Sequence, residues 1–228
     1  MPSTDAEPEL QPIASRKHTY RLLAICAGIA LLGALSLRSG AHTSSSTPRL
    51  TIYLSVAAGQ WLLLRFTALG VRRAGGSLMD VAGLRGGTAK AWLLDLALAA
   101  AFVFGADFLL SLLKRTMGGV DDHTAQLLPR TALEMAVWAG LAITAGLCEE
   151  LIYRGYFQRQ LAAFARSRWA GLLLQAVLFG AGHTYQGWRS TVSITVFGLL
   201  AGLLVMARRS VRPMVLAHAA IDLVPLFR

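Results

Sequence analysis

Cys148-Glu149-Glu150-Leu151-Ile152-Tyr153-Arg154-Gly155-Tyr156 sets two carboxylates and a guanidinium at the inner end of an apolar run that begins near Thr131. Each such charge costs about 2.5–3.5 kcal/mol at the centre of a bilayer even on mild insertion scales. Three of them together persist only where they pair, meet water or take part in chemistry. The apolar residues around them decide the fold class. The chain has 228 residues, of which 55% are hydrophobic and 15% charged, with a mean hydropathy of +0.53. A soluble domain carries about 25% charged residues. At ~20 residues per span, the sequence predicts an all-α polytopic membrane protein, with about seven to eight transmembrane helices in one bundle.

Working outward, residues 1–19 are polar and carry Pro2, Pro8 and Pro12 with Asp5, Glu7 and Glu9, the composition of a disordered cytoplasmic tail. The apolar run over 20–37 is longer than the 7–15 residues of a signal-peptide core, which favours an anchor helix. Further spans are expected at 51–71 and 91–113, so residues 20–113 form an N-terminal set of transmembrane helices. Residues 130–228 form the polar-centred helical core, with apolar segments at 131–166, 169–182, 191–207 and 211–226. The first of these, free of Pro and rich in helix formers, reads as one long helix or as two with a bend around Gly146 or Gly155. Gly198 and Gly202 make a GxxxG face suited to close helix packing. Ser/Thr/Pro-rich residues 42–48, the Gly-rich 72–90 and the polar 114–130 are connections.

The formal net charge of +10 suits basic loops against anionic headgroups. No basic stretch is interleaved with exposed aromatics, so nucleic acid is not an expected partner. Lys and Arg concentrate in the tail, the 72–90 connection, the 154–168 segment and the turn at Arg208, Arg209 and Arg212. The positive-inside bias then predicts a cytoplasmic N-terminus and puts the Glu149 region toward the cytoplasm, with Lys114, Arg115 and Arg130 on the opposite side. Cys26 and Cys148 fall in apolar spans with no metal-ligand spacing, and are read as structural. Asp95 is expected near the headgroups and Asp107 bonded to a neighbouring helix.

Residues four apart share a helix face, whereas neighbours diverge by about 100°. Glu150 and Arg154 are therefore expected to pair, leaving Glu149 to point elsewhere as an available base. Desolvation in an apolar pocket strengthens a carboxylate as a base, as proton abstraction near neutral pH requires. His183 ends one short apolar segment, four residues after Phe179. His218 and Asp222 share one face of another, where buried polar groups need partners. Bundling these segments would join a carboxylate and two imidazoles in a water-accessible cavity, able to activate water and stabilise a tetrahedral oxyanion. The same set, Glu149, His183 and His218, could instead ligate zinc or another divalent metal with water in the fourth position. No HExxH is present.

In order, spacing and context, EExxxR at Glu149 to Arg154, FxxxH at Phe179 to His183 and HxxxD at His218 to Asp222 resemble the CPBP intramembrane proteases. That family includes the CaaX prenyl endopeptidases and the bacteriocin-processing and immunity proteins. The resemblance covers roughly residues 130–226. It implies an eight-helix fold with its site inside the bilayer and open toward the cytoplasm, in a multi-pass protein of the bacterial inner membrane. It implies Glu149 as the residue activating water, supported by His183, with His218 and Asp222 holding the water or stabilising the oxyanion, and Glu150, Arg154 and Phe179 as supporting residues. The family's last motif commonly ends in Asn, where this chain has Asp222. An ionised Asp cannot donate to an oxyanion, so Asp222 is either a protonated donor or the partner of a charged His218. The family is described both as glutamate-type peptidases and as metalloproteases.

The leading expectation is an endopeptidase acting on a membrane-associated, possibly prenylated, peptide or protein or on a leader peptide, with no certain cofactor. The rival is a non-catalytic membrane scaffold or bacteriocin-immunity protein using the same fold. A transporter would use Asp95, Asp107 and Asp222 as a proton path, but no internal repeat of the usual kind is evident.

Overall fold

The computed structural model describes residues 10–38, 48–119 and 125–227. The first nine residues of the expected tail, most of the 42–48 connection, and Asp121 and Asp122 lie outside them. Among the described residues there is no strand, and 84% of the structure is helical, which makes the fold all-α.

The helices are α1 (Arg16–Arg38), α2 (Arg49–Arg73), the short α3 (Leu78–Val81), α4 (Ala89–Thr116), α5 (Ala132–Glu149), a π-helical stretch (Glu150–Phe157), α6 (Gln158–Ala165), α7 (Arg168–Ala181), α8 (Trp188–Arg208) and α9 (Arg212–Leu223). Five continuous runs are long and apolar enough to cross a membrane: Arg16–Ser36, Arg49–Arg73, Ala89–Thr116, Ala132–Ala165 and Trp188–Arg208. The shorter apolar α7 and α9 complete a bundle of seven main helical runs, in line with the sequence. Their outer faces are greasy, as Leu32, Leu62, Leu93, Phe104 and Phe108 show by being mostly exposed.

Each helix starts where local chemistry allows. Thr131 caps α5 through a capping box, its side chain accepting from the Glu134 N–H while Glu134 returns the bond. Thr88 and Ser167 cap α4 and α7 in the same way, each accepting from the N–H three residues on. A Pro at the first turn opens α9.

Several expectations need revision. Residues 10–19 are not all tail: α1 begins at Arg16, and Gln160 accepts from the N–H of Ile13 at 2.7 Å and donates to the Ala14 carbonyl at 2.9 Å. The 72–90 connection is likewise built in, since Ser210 donates to the Gly83 carbonyl and the Val211 N–H to the Ala82 carbonyl. Asp95 is not at the headgroups. It is fully buried and meets both Arg208 Nε and Arg212 Nε at 2.6 Å, so two of the three arginines of the basic turn are engaged by one carboxylate. Asp107 makes no hydrogen bond or ion pair among the described residues, and lies exposed between Phe104 and Phe108. With Asp95 locked and Asp107 outside, the three aspartates form no continuous path.

The fourth run is continuous from Ala132 to Ala165 and includes the π-helical stretch, in which all eight residues, Gly155 included, are buried. Single π turns of this kind concentrate at functional sites. Gly198 and Gly202 do serve close packing. A Cβ on Gly198 would sit 3.2 Å from the Ala176 Cα, and one on Gly202 would sit 2.7 Å from the Gln175 amide nitrogen.

Candidate active site

Glu149 closes α5 and Glu150 opens the wider coil, so the two carboxylates leave the backbone in different directions. Glu150 is fully buried and accepts from Arg154 Nη1 at 3.0 Å, the i,i+4 pair expected from spacing. The same Glu150 oxygen meets His218 Nδ1 at 2.8 Å. Arg154 is also fully buried and stacks its guanidinium over the Phe179 ring at 4.2 Å. This cation–π contact is worth more once desolvated. The chain Phe179–Arg154–Glu150–His218 thus fixes one imidazole from three helical segments.

That connection depends on α9 lying close against α5. A Cβ on Gly146 would come within 2.8 Å of the Ala219 nitrogen and 3.0 Å of the Val215 carbonyl. A glycine one turn before the glutamates is therefore what lets His218 reach them.

Glu149 has a different environment. Gln60, near the middle of α2, donates to its Oε1 at 2.7 Å. Its Oε2 has no hydrogen-bond partner, and His218 Nε2 lies 3.8 Å from it. Asp222 Oδ2 lies 3.7 Å from the same Nε2. Separations of this size are too long for direct hydrogen bonds and suit an intervening water. These groups share one cavity of about 460 Å³, whose wall also includes Phe179, His183, Tyr185, Ser190 and Ser193.

His183 stands on that wall with its Nδ1 on the Phe179 carbonyl at 2.8 Å. The FxxxH spacing is explained by this bond, with ring centroids of the two residues 4.9 Å apart. A carbonyl partner requires the proton on Nδ1, so the ring's remaining polar atom is Nε2. No carboxylate lies within ion-pair distance of His183 among the described residues. Nor do any three His, Cys, Asp or Glu side chains there converge to hold a metal ion.

The structure therefore gathers all seven expected residues, but in two layers. Glu149, His183, His218 and Asp222 face the cavity with Phe179, while Glu150 and Arg154 lie behind. Gln60 is the residue that sequence reasoning does not single out. Its only signal is an amide amid the apolar residues of the 51–71 span. Cys148 is fully buried and unbridged.

The cavity has a definite direction. Its lining includes Ile52 and Tyr53 near the start of α2, Lys114 near the end of α4, Leu128 before α5, and Gln186 between α7 and α8. All of these lie at the end of the bundle opposite the start of α1. The expectations of a cytoplasmic N-terminus and of a site open toward the cytoplasm therefore cannot both hold.

Residues 131–224 match the family model of the Rce1-like type II CAAX prenyl endopeptidases, a match consistent with a CPBP family protease. It supports intramembrane protease function in general and, with the apolar helices, an integral membrane protein. No curated protein and no solved structure matches the chain.

Proposed function

We propose that the protein is an intramembrane endopeptidase that hydrolyses peptide bonds of a membrane-associated or lipidated substrate, using water activated by Glu149. The observation that carries this reading is the pairing of a carboxylate oxygen without a protein partner, Glu149 Oε2, with an imidazole nitrogen 3.8 Å away in the same cavity. Glu149 takes a proton from the water, and the resulting hydroxide adds to the scissile carbonyl. Negative charge builds on the carbonyl oxygen, where the doubly protonated His218 donates from Nε2 while giving Nδ1–H to Glu150. Glu149 then returns the proton to the leaving nitrogen as the C–N bond breaks, restoring its carboxylate. Gln60 keeps Glu149 aimed at the water. His183 Nε2 supplies a further polar contact for water or peptide.

The test is cleavage of a farnesylated CaaX-type peptide and a peptide library by purified protein in lipid nanodiscs. General base catalysis contributes roughly 10²–10⁴-fold, so Glu149→Gln is expected to lose that much with its thermal unfolding midpoint preserved. Equal cleavage by wild type and variant would remove Glu149 from the mechanism. A non-catalytic scaffold predicts instead that the variant keeps every biological effect of the wild type. Activity is expected to survive exhaustive chelation. Loss on chelation with recovery on adding zinc would establish the metal-dependent form.

A further inference from the structure

We infer that the protein holds the phosphate group of an anionic phospholipid in a second cavity, between the start of α1 and the end of α2. This cavity, of about 250 Å³, is separate from the one that contains Glu149 and serves no step of the hydrolysis. The spans themselves set its depth. α1 enters its apolar run at Arg16 and α2 leaves its own at Arg73, so the cavity lies where the membrane meets water.

Three cations border it, Lys17, Arg21 and Arg73. No carboxylate lines it, and none of the three has an ion-pair partner among the described residues. Neighbouring basic residues are engaged elsewhere: Arg16 lies over the Phe164 ring at 5.9 Å, and Arg85 pairs with Asp80. Like charges gathered on one cavity repel, and an anion among them turns that repulsion into attraction.

The floor of the cavity supplies polar groups of its own. His18 is 7% exposed, and its buried Nε2 has no hydrogen-bond partner among the described residues. The ring is held in place by stacking on Phe66, with centroids 4.5 Å apart. It fits because residue 70 is glycine, since a Cβ there would lie 2.2 Å from the ring. Ser15 accepts from the His18 N–H at 3.2 Å, which leaves its own O–H to donate. An unpaired polar group at this depth is costly. Phosphate oxygens accept from an imidazole N–H, a hydroxyl and basic side chains alike, and bonds between charged partners are the strong ones.

The surface beneath the cavity makes the ligand a lipid. Ile25 and Leu32 lie four and eleven residues beyond Arg21, on its face of α1, and both are exposed. Leu62, eleven residues before Arg73 on α2, is mostly exposed too. A headgroup at the cations therefore continues into acyl chains along an apolar surface.

Native mass spectrometry of the purified chain in detergent tests this, by titration with dioleoylphosphatidylglycerol, dioleoylphosphatidylcholine and inorganic phosphate in turn. Phosphatidylglycerol is expected to bind roughly tenfold or more tightly than phosphatidylcholine, whose choline cation the basic residues repel. Each Lys or Arg near an anionic headgroup contributes about fivefold, so Arg21→Gln/Arg73→Gln should weaken the first phosphatidylglycerol roughly 25-fold. Lys90→Gln/Arg209→Gln removes two exposed charges outside the cavity and is expected to bind as wild type does. His18→Phe keeps a ring on Phe66 without a donor and is expected to lose about tenfold, with its lipid-free unfolding midpoint retained. Equal affinity for the two lipids, or equal loss in both double variants, would overturn the inference. Displacement of the lipid by millimolar phosphate would make this a site for the free ion. Binding of phosphatidylglycerol only to Asp5→Gln/Glu7→Gln/Glu9→Gln would mean that the chain's own acidic residues fill the cavity, and would overturn it as well.

Discussion

Glu149 has one oxygen tied by Gln60 and the other turned to the cavity, whereas Glu150 is committed on one oxygen to both Arg154 and His218. The difference decides what each substitution should do. Gln60→Leu removes a hydrogen bond to a charged group, worth about 1.5–3 kcal/mol. We expect turnover to fall roughly 10–100-fold with KM little changed, because Gln60 positions the base without touching substrate. Steady-state kinetics with the cleaved peptide checks this, and a change confined to KM would reassign Gln60 to binding. Asp222 invites the opposite experiment. Asp222→Asn supplies an amide donor in every protonation state. Activity is expected to stay within about tenfold of wild type if the residue acts as a donor, a small fraction of what a general base contributes. A loss matching that of Glu149→Gln would show that the carboxylate itself is needed, as partner to the charged His218. At this scale the sequence is informative because i,i+4 spacing alone separates Glu150 from Glu149. Gln60 is not legible there, since its partner is 89 residues away and nothing local to the 51–71 span indicates it.

At the level of elements, the site depends on two departures from regular helix packing. The π-helical stretch Glu150–Phe157 buries eight consecutive residues, which an α-helix with one outward face would not do. Gly146 lets α9 approach α5 closely enough for His218 to reach Glu150. Gly146→Val would force the two helices apart, and overpacking of this kind costs about 1–3 kcal/mol. We expect a lower unfolding midpoint in detergent and a loss of cleavage larger than that destabilisation explains, because the imidazole moves with α9. Unchanged kinetics at reduced stability would show that α9 adjusts without moving His218. The continuous run is readable from its helix formers and lack of proline, but its π stretch is not. The wider coil is set by what surrounds it, including Ala82 against Gly155 and the Phe179 ring under Arg154.

For the whole molecule, spans and basic connections follow from hydropathy and charge, because a membrane helix declares itself in ~20 consecutive residues. What joins the spans does not declare itself in that way. Asp95 and Arg212 are 117 residues apart, and each has an ordinary local reading, one as an interfacial acid and the other as part of a basic turn. In the folded protein Asp95 ties α4 to the α8–α9 turn, while Arg212 lies buried and also stacks on Trp92 with 4.9 Å to the ring centroid. This junction sets where α9 starts, and therefore how deep His218 lies six residues later. Removing one partner of a buried ion pair costs roughly 3–5 kcal/mol, because the other is left charged and uncompensated. Asp95→Asn should therefore lower the unfolding midpoint strongly and reduce cleavage through His218, with Glu149 and Gln60 intact. Asp95→Leu combined with Arg212→Leu should recover part of that stability, because the one charge then left without its partner, Arg208, is partly exposed. Thermal unfolding of the single and double variants in matched detergent decides the matter. A double variant no more stable than Asp95→Asn would mean that the Arg212 Nη1 bond to the Gly86 carbonyl, which the double variant also removes, matters as much as relief of the unpaired charge.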